Sequence, residues 1–177
     1  EGAVKLARKW GHLVKGIPED CAEVILPTGV FWGRSITASG NSSCPIRGKG
    51  MGPHTPGFPL VAYNDLDALE HELQMNPNVA GVMYEPIQGE AGTIIPDDGF
   101  LKGVYDLTRK YNCLMITDEV QAGLGRTGTL KAADYDLAEY GLKPDIVTLG
   151  KALSGGMTPA SGIVADRHIM ECFEPGN

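Results

Sequence analysis

Three polar residues stand directly behind apolar runs: Glu85 after "VMY", Asp118 after "MIT" and Lys151 after "VTLG". A fourth run, "EVILPTGV", leads into Phe31, Trp32 and Arg34. Together they offer an amine that can attack a carbonyl, carboxylates that can pair with a base, and a planar guanidinium that can grip a carboxylate through two parallel hydrogen bonds. Taken singly, each has a plainer use: a lysine is most often a surface charge, an aspartate a helix cap or ion-pair partner, an aromatic pair core packing.

Two glycine-rich stretches adjoin these residues. "GLGRTG" matches the dinucleotide fingerprint letter for letter, but that fingerprint needs its first glycine at a strand end and a helix opening at the loop. Here "DEVQA" intervenes and "TGTLKAADY" is a poor helix start, so the motif is expected to be a tight turn with positive φ angles. "LGKALSGG" fails as a phosphate loop twice, with Asp145 where the first glycine should stand and Ala152 where Ser or Thr should follow the lysine. Lys151 therefore needs another use, and the small residues after it let something bulky approach the backbone. A lysine and an acid at neighbouring strand ends suit pyridoxal 5'-phosphate, which takes a lysine at its aldehyde and an acid beside its pyridine nitrogen. Asp118 is the residue for that nitrogen, and Glu119 is expected to be structural.

Such placement requires an open sheet. "EVILPTG", "PLVAY", "VAGVMYEP", "CLMIT", "DIVTLG" and "ASGIVA" read as strands. Ala3, Leu6, Ala7, Trp10, Leu13 and Val14 fall at helical spacing, as do Leu66, Leu69 and Leu73 behind Asn64 or Asp65, and Leu101, Val104, Tyr105 and Thr108. A further helix is predicted over 132–140, and a long loop over 33–58. Continuous apolar runs alternating with amphipathic helices predict an α/β fold: an open, mostly parallel sheet with helices on both faces. In such sheets ligands sit beyond the carboxyl ends of the strands.

With 15 basic and 22 acidic residues among 177, the net charge of −7 argues against a nucleic-acid-coating surface. No apolar run reaches membrane-spanning length, and the start shows no signal-peptide pattern. Position 1 is Glu and opens inside a helical pattern, which suggests an excerpt of a longer polypeptide. Cys21, Cys44, Cys113 and Cys172 are far apart, with no metal-binding spacing, so unpaired thiols in a reducing compartment are expected.

"LMITDEVQAGLGRTG" followed by "LGKALSGG" resembles the signature of the class III pyridoxal-phosphate aminotransferases, of fold type I, and the resemblance covers essentially the whole chain. "FWGRS", "GPHTPGF", "YNDLDALE" and "EPIQGEAG" are similar to the ornithine-acting branch of that class, whereas members acting on acetylornithine or 4-aminobutyrate tend to carry His where Trp32 stands. The resemblance implies that Lys151 holds the cofactor aldehyde and shuttles a proton, that Asp118 pairs with the pyridine nitrogen, that Val120 and Phe31 sandwich the ring, and that Gln121 approaches the ring hydroxyl. It implies that Arg34 holds the substrate α-carboxylate, and that Glu90 pairs with a second arginine beyond Asn177 and releases it for 2-oxoglutarate. Glu85 is expected to support Arg34 or Glu90, and Trp32 to line the substrate pocket or lie buried.

The implied activity is transfer of the δ-amino group of L-ornithine to 2-oxoglutarate. The alternatives are another ω-amine donor (acetylornithine, 4-aminobutyrate or lysine) and, from the glycine loop alone, a dinucleotide-binding oxidoreductase domain. The family pattern places residues 1–177 in the middle of the cofactor-binding large domain, between a preceding phosphate-binding loop and a small C-terminal domain. It also implies a homodimer sharing its active site, in the cytosol or mitochondrial matrix, with no nucleic-acid or membrane partner. The loop "ASGNSSCPIRGKGM" departs most from the pattern, its Cys44 being expected as a solvent-exposed bystander. The stretch between "DYDL" and "KPDIV" reads as a surface insertion.

Overall fold

Side chains along a strand alternate between the two faces of a sheet, and in this chain both faces are apolar. The computed structural model describes residues 1–177. It contains one six-stranded sheet built from β1 (Glu23–Pro27), β2 (Leu60–Val61), β3 (Val79–Tyr84), β4 (Leu114–Asp118), β5 (Ile146–Leu149) and β6 (Gly162–Ala165). The spatial order is β2-β1-β3-β4-β5-β6; all neighbours are parallel except β6, which lies antiparallel to β5. Val24, Leu26, Met83 and Ile116 point to one face, where α1 (Gly2–Trp10) and α6 (Arg167–Met170) cover them. Ile25, Val82, Tyr84 and Met115 point to the other, under α3 (Leu66–Met75), α4 (Phe100–Lys110) and α5 (Asp134–Leu137).

Local chemistry sets the helix limits. Asp65, of the two candidates, caps α3 by accepting the Ala68 N–H at 2.8 Å, while Asn64 takes a left-handed conformation and accepts the Asp97 N–H at 3.0 Å. The face begun by Ala3, Leu6, Ala7 and Trp10 does not continue as expected. Gly11–Lys15 forms a π-helical turn, and Leu13 and Val14 swing outward to 57% and 59% exposure. Gly11 makes that turn's seat: a Cβ there would stand 2.6 Å from the Ala80 Cβ on β3.

Three other expectations are refined. The predicted loop over 33–58 contains a short helix, α2 (Ile36–Gly40), because the Ser35 hydroxyl accepts the Ala38 N–H at 3.1 Å. Of "PLVAY" only Leu60–Val61 pairs, with Leu26 and Pro27 at the sheet edge. The helix over 132–140 divides into α5 and a 3-10 turn, Ala138–Tyr140, closed by Gly141 at φ 65°. All four cysteines are free, Cys44 half-buried rather than fully exposed. No helix is long and apolar enough to cross a membrane.

Since β1 lies between β2 and β3, the chain leaves it toward one side and later returns on the other. In open α/β sheets such a reversal opens a crevice at the carboxyl ends of the strands.

Candidate functional site

The adjacent parallel strands β1, β3, β4 and β5 carry Phe31–Trp32, Glu85, Asp118 and Lys151 past their carboxyl ends. These residues meet. Phe31, Trp32, Glu85, Asp118, Val120, Gln121 and Lys151 line a single cavity of about 150 Å³. A larger space of about 640 Å³ adjoins it at Val120, Gln121 and Lys151, and another of about 320 Å³ at Trp32, Asp118 and Val120.

Asp118 ends β4 and is 7% exposed. Its Oδ1 accepts two hydrogen bonds, from the Val120 N–H at 3.0 Å and from the Thr148 hydroxyl at 2.9 Å. Oδ2 has no partner within the chain. Burial pushes this carboxyl above its ordinary pKa, while the two hydrogen bonds and then the positive charge of Lys151 act in the opposite direction. Thr148 reaches Asp118 because the two are partners in the β4–β5 register.

Glu85 is buried too, and holds backbone: its Oε1 accepts the Phe31 N–H at 2.8 Å and its Oε2 the Gly89 N–H at 3.2 Å. Burial raises its pKa, and the two backbone donors lower it. Glu85 thus fixes the chain at Phe31 and beside Glu90, with no direct bond to Arg34 or to Glu90. Two further ties hold the same turn. The Tyr63 hydroxyl donates to the carbonyls of Glu85 and Pro86, at 3.2 and 3.1 Å, and Gln88 Nε2 donates to the Thr28 carbonyl at 2.8 Å.

Glu119, expected to be structural, accepts the N–H groups of Ala132 and Ala133 at 2.8 and 2.9 Å with its two oxygens, from a fully buried position. It thereby closes the "GLGRTG" loop, which is a turn with Leu124, Gly125 and Gly128 at φ 54°, 86° and 99° and opens no helix. Lys151 opens a 3-10 turn in the left-handed region, at φ 43°, a conformation uncommon outside glycine. Its side chain is exposed and its ammonium donates to Gln121 Oε1. Trp32, 8% exposed, packs against Phe58 with ring centroids 5.1 Å apart and the rings tilted by 42°, and its buried Nε1 has no partner.

Arg34 and Glu90 do not line the cavity; Arg34 touches Phe31 and Glu90 reaches it only through Arg47. The exposed Arg34 guanidinium sits over the Phe31 ring, 5.4 Å from its centroid. Glu90 is 4.0 Å from Arg47, whose guanidinium lies 4.9 Å from the same centroid. Sequence reasoning missed Thr148, Gln88, Tyr63 and Arg47. For Thr148 a signal existed, a lone hydroxyl inside the apolar run "IVTL"; for Arg47 none did.

A sequence profile for the class-III aminotransferases ("Aminotransferase class-III") matches residues 1–177. The chain is similar to the mitochondrial ornithine aminotransferases of Drosophila melanogaster (51% identical) and Rattus norvegicus (50% identical), each aligned over 99% of this chain. Among solved structures it is similar to the ornithine aminotransferase of Toxoplasma gondii. That structure has a TM-score of 0.94 at 47% identity, covers 99% of this chain and 40% of the other, and reveals partial occupancy of PLP at its active site. An acetylornithine aminotransferase of Elizabethkingia anophelis follows with a TM-score of 0.80 at 42% identity, over 99% of this chain and 39% of its own. The chain spans 40% of the length of the fly relative and 39% of the rat one. A profile match from the first residue to the last, together with half-identity to two curated members, shows that the chain belongs to the class-III aminotransferase family.

Proposed function

We propose that this chain is the central part of the cofactor-binding large domain of an aminotransferase that moves the δ-amino group of L-ornithine to 2-oxoglutarate, giving glutamate 5-semialdehyde and glutamate. The observation that carries the reading is the shared cavity of Lys151, Asp118, Val120, Gln121 and Phe31. The donor set fits pyridoxal 5'-phosphate: a primary amine, a buried carboxylate with one oxygen unpartnered, and apolar walls from an aliphatic and an aromatic side chain. When bound, that cofactor supplies a carbonyl to exchange amino groups with and a protonated ring that accepts electrons.

The chain's own residues do the rest. Lys151 would hold the cofactor through its amine, and the same amine, when free, would move the proton at the substrate carbon. Asp118 would hold the ring nitrogen and keep it protonated, because a carboxylate in contact with a pyridine favours its charged form. Val120 and Phe31 would wall the ring with an aliphatic and an aromatic side chain, and Gln121 would take its hydroxyl. Arg34 grips the α-carboxylate, which sends the far amine of ornithine inward. Glu90 governs an arginine that the dicarboxylate co-substrate requires. Glu85 holds Phe31 and Gly89 in place, and Trp32 walls the substrate side.

Borohydride reduction of the full-length protein followed by peptide mapping tests the cofactor: the expected result is a pyridoxyl group on Lys151, and an unlabelled lysine with bound NAD would favour the oxidoreductase alternative. Titration with ornithine, acetylornithine, 4-aminobutyrate and lysine, following the cofactor's visible absorbance, tests the donor. Failure of ornithine to bleach that absorbance would end the specific claim in favour of another ω-amine donor. We further infer a homodimer with a shared active site, in the cytosol or the mitochondrial matrix, the fly and rat relatives being named mitochondrial.

A further inference from the structure

Thr148 ties the end of β5 to the end of β4 twice. Its carbonyl accepts the Glu119 N–H at 3.0 Å, and its hydroxyl donates to Asp118 Oδ1 at 2.9 Å. The side-chain contact follows from the register, which pairs Asp118 with Thr148 across two parallel strands. It is not the automatic fate of a hydroxyl at this sheet edge: Thr117, one residue before Asp118, buries its own without a partner.

The Val120 N–H reaches Oδ1 from two residues further along the chain, and the Thr148 hydroxyl reaches the same oxygen from the neighbouring strand. With the Val120 bond alone the carboxylate could swing about the bond that carries it. A second donor from another direction holds its plane and leaves Oδ2, which no group of the chain engages, to the cavities that Asp118 lines. Thr148 borders one of those cavities itself. Burial disfavours charge on Asp118, and the Val120 and Thr148 donors offset part of that cost. Lys151 comes three residues after Thr148, so the strand end that delivers the amine also steers the acid.

We propose that Thr148 is a positioning residue of this site, whose hydroxyl fixes the Asp118 carboxylate so that Oδ2 is presented to the ring nitrogen of the cofactor. The proposal deepens the reading above and rests on it. Thr148 touches neither cofactor ring nor substrate in this role and acts only through Asp118.

The test uses the full-length protein stripped of cofactor and two probes, pyridoxal 5'-phosphate and its deaza analogue, in which a C–H replaces the ring nitrogen. Affinities are read from quenching of protein fluorescence. The ratio of the two isolates the contact to Asp118, because the analogue offers Oδ2 nothing to bind, whereas a merely structural role of Thr148 would weaken both probes alike. Thr148→Val, which keeps the branched shape and loses the donor, is expected to lower the ratio roughly five- to ten-fold, and Thr148→Ser to restore it to within about two-fold of the parent. In an Asp118→Ala background Thr148→Val is expected to leave the ratio unchanged. An unchanged ratio in Thr148→Val, or a loss that persists in Asp118→Ala, overturns the proposal. If Thr148→Val fails to fold, Thr148→Ala must lower the ratio, and an unchanged ratio there overturns the proposal equally. A parent that binds both probes equally removes the contact between Asp118 and the ring nitrogen, and the proposal with it. A parent that prefers the nitrogen, with a Thr148→Val variant that keeps this preference, removes the role of Thr148 alone.

Discussion

Asp118 serves two masters. Its hydrogen bonds from Val120 and Thr148 both fall on Oδ1, so an amide oxygen can accept the same two bonds, and Asp118→Asn removes charge with little change of shape. Burial holds the Asp118 carboxyl above its ordinary pKa. A folded pKa above the unfolded one means stability that is complete below the unfolded value, ordinarily near 4, and lost as pH rises through the folded one. Urea unfolding of the cofactor-free protein should therefore show Asp118→Asn no more stable than the parent in acid. Its advantage should grow as pH rises through that window and then level off; an advantage independent of pH would contradict this. Cofactor affinity should move the other way, falling about 10–100-fold at neutral pH, because a charge-assisted hydrogen bond becomes a neutral one. Arg34→Gln belongs to the same scale: kcat/KM for ornithine should fall by roughly two orders of magnitude with the cofactor spectrum unchanged, as the proposed substrate-carboxylate grip is removed. The strand-end rule made Lys151, Asp118 and Glu85 legible, since each directly follows an apolar run. Thr148 was not, because its service to Asp118 depends on the β4–β5 register, which no local pattern encodes.

Elements position these residues through a few buried ties rather than through helix propensity. Glu119 is the plainest case: its two oxygens satisfy the backbone of Ala132 and Ala133 and so anchor the turn of 123–131 that borders Lys151's cavity. Glu119→Gln turns one acceptor into a donor facing an N–H, and should cost about 1–3 kcal/mol in urea unfolding as well as loosening that turn. Gly89→Ala is expected to do the reverse, sparing stability and harming the site. A Cβ at position 89 would stand 1.8 Å from the Gln121 amide nitrogen, the far end of a flexible side chain that can rotate away. Gln121 would then leave Lys151, and cofactor affinity should fall several-fold while the urea midpoint moves by less than about 0.5 kcal/mol equivalent. Periodicity found α1, α3 and α4 because their buried positions recur at helical spacing. It misjudged Leu13 and Val14 because the π-helical turn at Gly11 breaks that spacing for a tertiary reason, the approach to Ala80. It passed over α2, whose five residues carry almost no periodic signal and whose start depends on the Ser35 cap.

For the whole molecule, order is unevenly distributed. β3 and β4 lie at the centre of the sheet, every residue in them buried between the two apolar clusters. The segment 151–162, which begins with the proposed catalytic lysine, is the opposite: all its residues but Ser154 are exposed, and Met157 reaches 87%. β6, which follows, alternates between exposed and half-buried side chains. A lysine in a left-handed conformation persists only where surrounding contacts over-determine it, and this chain alone supplies few there. Protection against hydrogen exchange follows buried contacts and buried backbone hydrogen bonds. Residues 1–177 expressed by themselves should accordingly show strong protection in β3 and β4 and nearly free exchange over 151–162, with cofactor binding at least roughly a hundred-fold weaker than in the full-length protein. In the full-length protein the same segment should be protected, and more so with cofactor. Equal protection of 151–162 in both would show that the Lys151 turn is ordered by the contacts of this chain alone, and would require cofactor binding to survive in the isolated chain as well.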